Sequence, residues 1–194
     1  MQSVICTINY NLGGNHHTKP WVLAIDPWHR GLGFAFFEGE NELIDWGLRV
    51  VPAHRREHWS LEKLKSLIVE FEPDVLVLEQ WQAPGSRRSI RQQKLLAQMA
   101  NRAGLLGVET HLVSRHDMQN AFSFIEGRIN KHTISRALAI RYPELNPQLP
   151  PFRKPWMSED PRMSIFDACA FALTYFRTES SEETSLKNPL HQNN

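Results

Sequence analysis

Three acids in this chain stand where acids are costly. Asp26 closes the apolar run WVLAID, Glu79 closes the run DVLVLE, and Asp167 lies inside the apolar stretch MSIFDACAFALTYF. Carboxylates carried into apolar surroundings need a partner, because an unpaired buried charge is expensive. If the strands ending in Asp26 and Glu79 are neighbours, the two side chains meet, and one pKa of the pair rises unless a cation lies between them. A divalent cation removes that cost. Mg²⁺ in particular takes few protein carboxylates and leaves room for water and phosphate oxygens. Three acids from two strands and a helix could hold two such ions about 4 Å apart, the arrangement that clamps attacking water and leaving oxygen in phosphodiester hydrolysis. Taken singly, each acid also has a simpler role. Asp26 before Pro27 can start a turn, Glu79 can be the first solvated residue past a strand, and Asp167 can accept a hydrogen bond or pair with a basic side chain.

The surrounding pattern supplies the elements that must position them. WVLAID (21–26) reads as a buried strand. GLGFAFFEG (31–39) and ELIDWGLRVV (42–51), separated by Glu40 and Asn41, read as a hairpin. Leu61, Leu64, Leu67, Ile68 and Phe71 fall at helical spacing within 56–71. The strand bearing Glu79 follows, then a basic helix over Ser89–Leu106 with Ile90, Leu95, Leu96, Met99 and Ala103 inward. A short strand (109–114), helices near 115–122 and 131–142, and the proline-rich connection NPQLPPFRKP lead to a last helix over Pro161–Phe176. Asp160 is its natural N-cap and Pro161 fits its first position. Early hairpin strands followed by alternating helices and strands predict an α/β domain, a mixed sheet with helices on its faces.

The chain has 194 residues, 41% hydrophobic and 22% charged, the proportions of one globular domain. We expect a flexible extension over 1–19, holding His16 and His17, a domain over 20–177, and a disordered tail over 178–194. No stretch reaches the roughly 18 apolar residues of a membrane span, and the N-terminus lacks the pattern of a signal peptide. The two cysteines, Cys6 and Cys169, form neither a disulfide framework nor a zinc spacing. The expectation is a cytoplasmic protein without membrane or structural metal. Net charge is only +1, but between Gln80 and Arg141 ten basic residues face three acids, a local excess of +7. Such a region suits an anionic polymer, or is balanced in space by other segments.

Four stretches carry a resemblance: LAIDPWHRGLGFAFFEG, FEPDVLVLEQW, TISRALAIRYPEL preceded by Asn130-Lys131-His132, and FDACAFALTYF. Together, over about 21–176, they resemble the RuvC-type Holliday-junction resolvases of the ribonuclease-H-like superfamily. The first stretch is widespread in that superfamily. EPDVLVLEQ at its distance, with D-A-x-A-x-A-L on the last helix, is more specific. The resemblance implies a ribonuclease-H-like mixed five-stranded sheet with helices on both faces. It implies a metal-dependent endonuclease, a hydrolase of DNA recombination and repair that cuts branched DNA such as a four-way junction, acting as a homodimer. The implied ligands of two Mg²⁺ or Mn²⁺ ions are Asp26, Glu79 and Asp167. Lys131 would meet the scissile phosphate, Trp81 would stack on unpaired bases, and Arg87, Arg88, Arg91 and His132 would contact the nucleic acid.

The sequence departs from the family pattern at the last helix. An acid usual three residues before Asp167 is Ser164 here. The second ion would then depend on Asp160, a full turn further back, or on Glu159. Trp28 and His29 replace small residues after the first Asp-Pro, and His29 could donate a proton near the leaving group. Two alternatives stay open: a structured-DNA-binding module that has lost full metal coordination, and an RNA-processing nuclease of the same superfamily.

Overall fold

The computed structural model describes residues 19–154 and 156–187; Cys6, the His16–His17 pair and residues 188–194 lie outside them. Three antiparallel strands come first, β1 (Trp21–Trp28), β2 (Gly31–Glu38) and β3 (Leu43–Val50). Then follow α1 (Arg56–Phe71), β4 (Val75–Glu79), α2 (Ile90–Leu105), β5 (Glu109–Val113), α3 (Arg115–Ala121), α4 (Lys131–Arg141), a 3-10 turn (Pro143–Gln148) and α5 (Met163–Lys187). They form one sheet of order β3-β2-β1-β4-β5, in which β4 runs parallel to β1 and β5 parallel to β4. This is the expected mixed five-stranded sheet with helices on both faces.

The apolar runs of β1 and β4 exist because both strands are covered on two sides. Side chains alternate across a strand, so each run feeds two cores. Val22, Ala24, Val75 and Val77 belong to the core with α3, α4 and α5, whereas Leu23, Ile25, Leu76 and Leu78 belong to the core with α1 and α2. By the same alternation, Asp26 and Glu79 fall on the α5 face. The pairing of β1 with β4 runs from Val22↔Val75 to Ala24↔Val77. Carrying that register two residues further sets Asp26 beside Glu79, at the place where the strands stop pairing.

Small residues bring α5 down onto this face. Ala24, Ala35, Ala168, Cys169 and Ala172 are fully buried. The tightest approach is at Gly33, the partner of Asp26 across the β1–β2 ladder. A side chain there would run into the backbone and hydroxyl of Ser164. Gly33 therefore fixes how closely the start of α5 lies over the acids. Gly39 (φ 66°) reverses the chain between β2 and β3, closing the expected hairpin with Glu38 N–H donating to Glu42 C=O at 3.0 Å.

Three features differ from the expectation. The last helix begins at Met163, not Pro161; Asp160 accepts the backbone N–H of Arg162 at 2.9 Å and caps the turn that precedes the helix. At its other end α5 runs on to Lys187, ten residues into the tail 178–194 expected to lack structure. Extending a nucleated helix gains a hydrogen bond for each residue fixed, so the packed portion carries the polar one outward. Ile90, expected inward, is 73% exposed, since the first residue of α2 precedes the part that lands on the sheet.

Candidate metal and nucleic-acid site

The three acids do come together, and each meets a cation of the protein itself. Asp26 is 3% and Glu79 1% exposed, at the ends of β1 and β4. Between them lies the guanidinium of Arg88. Its Nη2 donates to Asp26 Oδ1, its Nε donates to Glu79 Oε2 at 2.6 Å, and its Nη1 donates to Pro27 C=O at 2.9 Å. Arg88 is the residue before Ser89, the N-cap of α2, whose hydroxyl and Gln92 form a capping box. The cap sets where the helix starts, and so where the guanidinium reaches. Arg115, the first residue of α3, donates to the other Glu79 oxygen at 3.2 Å. Opposite charges raise the Arg88 pKa: burial alone would lower it, but Asp26 and Glu79 outweigh that.

Asp167 enters from α5, 8% exposed. Lys131 Nζ lies 2.6 Å from its Oδ2 and 2.9 Å from Glu159 Oε1. Lys131 is the first residue of α4, where the helix dipole disfavours a cation; the two acids hold it there. The Asn130 cap, which accepts from the N–H groups of His132 and Thr133, fixes the start of α4 beneath it. Burial would lower the Lys131 pKa, but Asp167, Asp26 and Glu159 drive it up. The Asp167 carboxyl is pushed up to about 6, by burial first and by Asp26 as well, against the pull of Lys131. Four acids, Asp26, Glu79, Asp167 and Glu159, thus share three cations, Arg88, Arg115 and Lys131. The balance of four negative against three positive charges leaves one negative charge uncompensated.

Asp26, Asp167, Lys131, Glu159 and Arg88 line a cavity of about 150 Å³, into which Ser164, Asp160 and His29 also open. The donor set suits a hard divalent cation: carboxylates from three elements, buried, with charge to spare. Arg88 shows that a cation is at home between Asp26 and Glu79. It also fills that place, and among the described residues no group of three or more His, Cys, Asp or Glu is arranged to hold a metal ion. A metal there requires the guanidinium to withdraw. The replaced fourth acid offers little, since the Ser164 hydroxyl donates to Pro161 C=O at 2.8 Å. Asp160 has both oxygens on Arg162, at 3.1 and 2.7 Å, which keeps its pKa low.

The basic residues expected to bind nucleic acid divide. Arg88 is turned inward on the acids. Arg91 is paired with Glu57 at 2.7 Å on the surface, and Arg87 is exposed. Trp81 sits in the turn after β4, half-buried against the core over α1 and α2. His132 is half-buried with its ring against Phe152. Of the ten basic residues in the central region, Arg88, Arg91, Arg115, Lys131 and Arg141 have acidic partners, and all five reach acids outside it. Much of the local excess is thus balanced in space. Arg115 and the inward turn of Arg88 were not read from the sequence. The signal was present: both follow the C-terminal ends of parallel strands, β4 and β5, where loops gather at one sheet edge.

Sheet order β3-β2-β1-β4-β5, parallel β4 and β5, and α5 laid across β1 and β2 give this chain the α/β fold of the solved structures of RuvC and of a yeast mitochondrial Holliday junction resolvase. Three solved structures make the likeness concrete. Thermus thermophilus RuvC superimposes with a TM-score of 0.59 at 18% identity, over 83% of this chain and 96% of that one. The same protein in complex with a Holliday junction substrate gives 0.59 at 17%. The yeast mitochondrial Holliday junction resolvase gives 0.53 at 13% identity, over 84% of this chain and 80% of that one. At these identities the likeness is one of fold. No family model matches the sequence, and no curated protein matches it.

Proposed function

We propose that this chain is a metal-dependent endonuclease that hydrolyses phosphodiesters in branched DNA. One observation carries the reading: buried acids from β1, β4 and α5 converge on one face of a resolvase-type sheet and hold cations there. Asp26, Glu79 and Asp167 are the residues that would hold Mg²⁺ or Mn²⁺, with Asp26 central because it adjoins both Arg88 and the Asp167–Lys131 pair. When bound, such an ion polarises phosphoryl oxygens and makes a nucleophile of water near neutral pH. Lys131 neutralises charge on the scissile phosphate. His29, exposed and lining the cavity, would protonate a leaving oxygen. A second ion has only Glu159 or Asp160 to replace the missing acid, and both are already paired with cations. Cutting two symmetric strands of a junction calls for a homodimer. No helix among the described residues is long and apolar enough to cross a membrane.

The test is cleavage of a labelled four-way junction in Mg²⁺ or Mn²⁺, beside Asp26→Asn, with an RNA junction in parallel. Cutting by the wild type that Asp26→Asn abolishes supports the reading. Equal cutting by both, or none by either, contradicts it, and a preference for the RNA junction moves the substrate class. A second reading has its own observation. Arg88 already occupies the cation position, as it would in a module that binds junctions without cutting them. Junction binding with no heat of Mn²⁺ binding at millimolar metal would decide for that module.

A further inference from the structure

The chain between the 3-10 turn and α5 is anchored and yet exposes aromatic surface beside the site. Leu149 packs on the core and Pro150 is buried. Beyond them Phe152, Trp156 and Met157 are 71%, 78% and 45% exposed. The loop is held in shape. At one end the Phe152 ring meets His132 edge-on, centroids 5.2 Å apart. At the other end Glu159 holds Lys131 at 2.9 Å. Both ties are to the first turn of α4. Between them Met157 N–H donates to Lys154 C=O at 3.0 Å, and Arg153 Nε donates to Met157 C=O. Trp156 stands at the crest, with Lys154 Nζ 5.4 Å from its ring centroid.

A loop organised to hold an indole in water forgoes the burial of a large aromatic surface, and such exposed patches mark interaction sites. The charge around it selects the partner. Lys154 lies against the ring, Arg153 precedes it on the same loop, and no acid occurs from 150 to 158. A partner that offers both anionic groups and flat apolar faces is a nucleic-acid strand with unstacked bases. We propose that Trp156 stacks on an unpaired base of a DNA strand whose phosphates meet Arg153 and Lys154 and which continues to Lys131 in the acidic cavity. This rests on the nucleic-acid reading above and adds to it a residue and a substrate feature. Bases leave the stack at a branch point, whereas a linear duplex offers no free face. Trp156 would then do what the resemblance assigned to Trp81, whose ring is half taken up by the core.

Equilibrium binding in EDTA tests this with a fluorescein-labelled four-way junction and a linear duplex of equal length. Trp156→Ala should weaken junction binding about tenfold or more, leave duplex binding unchanged, and leave the melting temperature unchanged because the residue is exposed. Trp156→Phe should stay close to wild type. Equal loss on both DNAs, or no loss on the junction, overturns the proposal while leaving the nuclease reading in place. So does a change from dimer to monomer in Trp156→Ala on gel filtration, which would make the loop a subunit contact. If wild type binds the junction no better than the duplex, the branched-DNA reading falls and this proposal with it.

Discussion

Arg88→Gln removes the guanidinium from between Asp26 and Glu79 and keeps an uncharged polar side chain that ends about where Arg88 Nε lies, short of Asp26. In metal-free buffer the change leaves two carboxylates, 3% and 1% exposed, with Arg115 on Glu79 as the remaining ion pair. Breaking a buried ion pair by deleting one partner costs about 3–5 kcal/mol. For a domain of this size, each kcal/mol moves the melting temperature by about 2–4 °C. The variant should therefore melt about 6–20 °C below wild type in EDTA. Mn²⁺ should restore much of this, because it now enters a place that no side chain occupies. Metal at a hundred times its dissociation constant stabilises by about 2.7 kcal/mol. The assay is thermal melting of wild type and variant across a Mn²⁺ titration, with titration calorimetry for affinity. The expected pattern is a variant less stable without metal, more responsive to it, and at least tenfold tighter in Mn²⁺ binding. A variant that is destabilised in EDTA and unmoved by millimolar Mn²⁺ would show that Arg88 is structural and that the acids were built for the guanidinium.

Further outcomes follow from the same geometry. Asp167 has its pKa raised to about 6, so the folded state holds that proton more tightly than the unfolded chain. Its contribution to stability is fully present below about pH 4 and is lost as pH rises through about 6, by about 3 kcal/mol at most. Asp167→Asn should flatten that part of the melting profile in EDTA, and parallel profiles would contradict the placement. Lys131→Met should lower junction cleavage by about a hundredfold, the scale for removing a charge-stabilising group, while binding in EDTA changes little; undiminished cleavage would remove Lys131 from the chemistry. Gly33→Ala must push α5 off the sheet at Ser164, costing about 1–3 kcal/mol and reducing cleavage by displacing Asp167. An unchanged melting temperature would mean the contact is not tight.

What could be read ahead of the structure followed from local rules. The acids stood out because each ends or interrupts an apolar run, and a doubly covered strand must be apolar along its length until it leaves the core. The order of strands and helices came from periodicity, and the start of α4 from Asn130 ahead of Lys131. What could not be read depends on register and on loops. Nothing local says that β1 and β4 pair so that Asp26 and Glu79 fall level. Nor does Arg88 announce that it turns inward, since that depends on where the cap at Ser89 sets α2 relative to the sheet edge. Asp160 looked like the helix cap, and it does cap, but a turn early, because Arg162 takes both its oxygens. Trp81 follows the acid in sequence and yet packs on the core. The exposed aromatics of this region are Phe152 and Trp156, held on a loop tied to α4 through contacts that no spacing encodes.

Anomalous diffraction from crystals grown with Mn²⁺ would test the central claim most directly. The account predicts a manganese peak coordinated by Asp26, with Glu79 or Asp167 as a further ligand and the Arg88 side chain swung clear. No peak at millimolar Mn²⁺, with Arg88 still bridging Asp26 and Glu79, would contradict it.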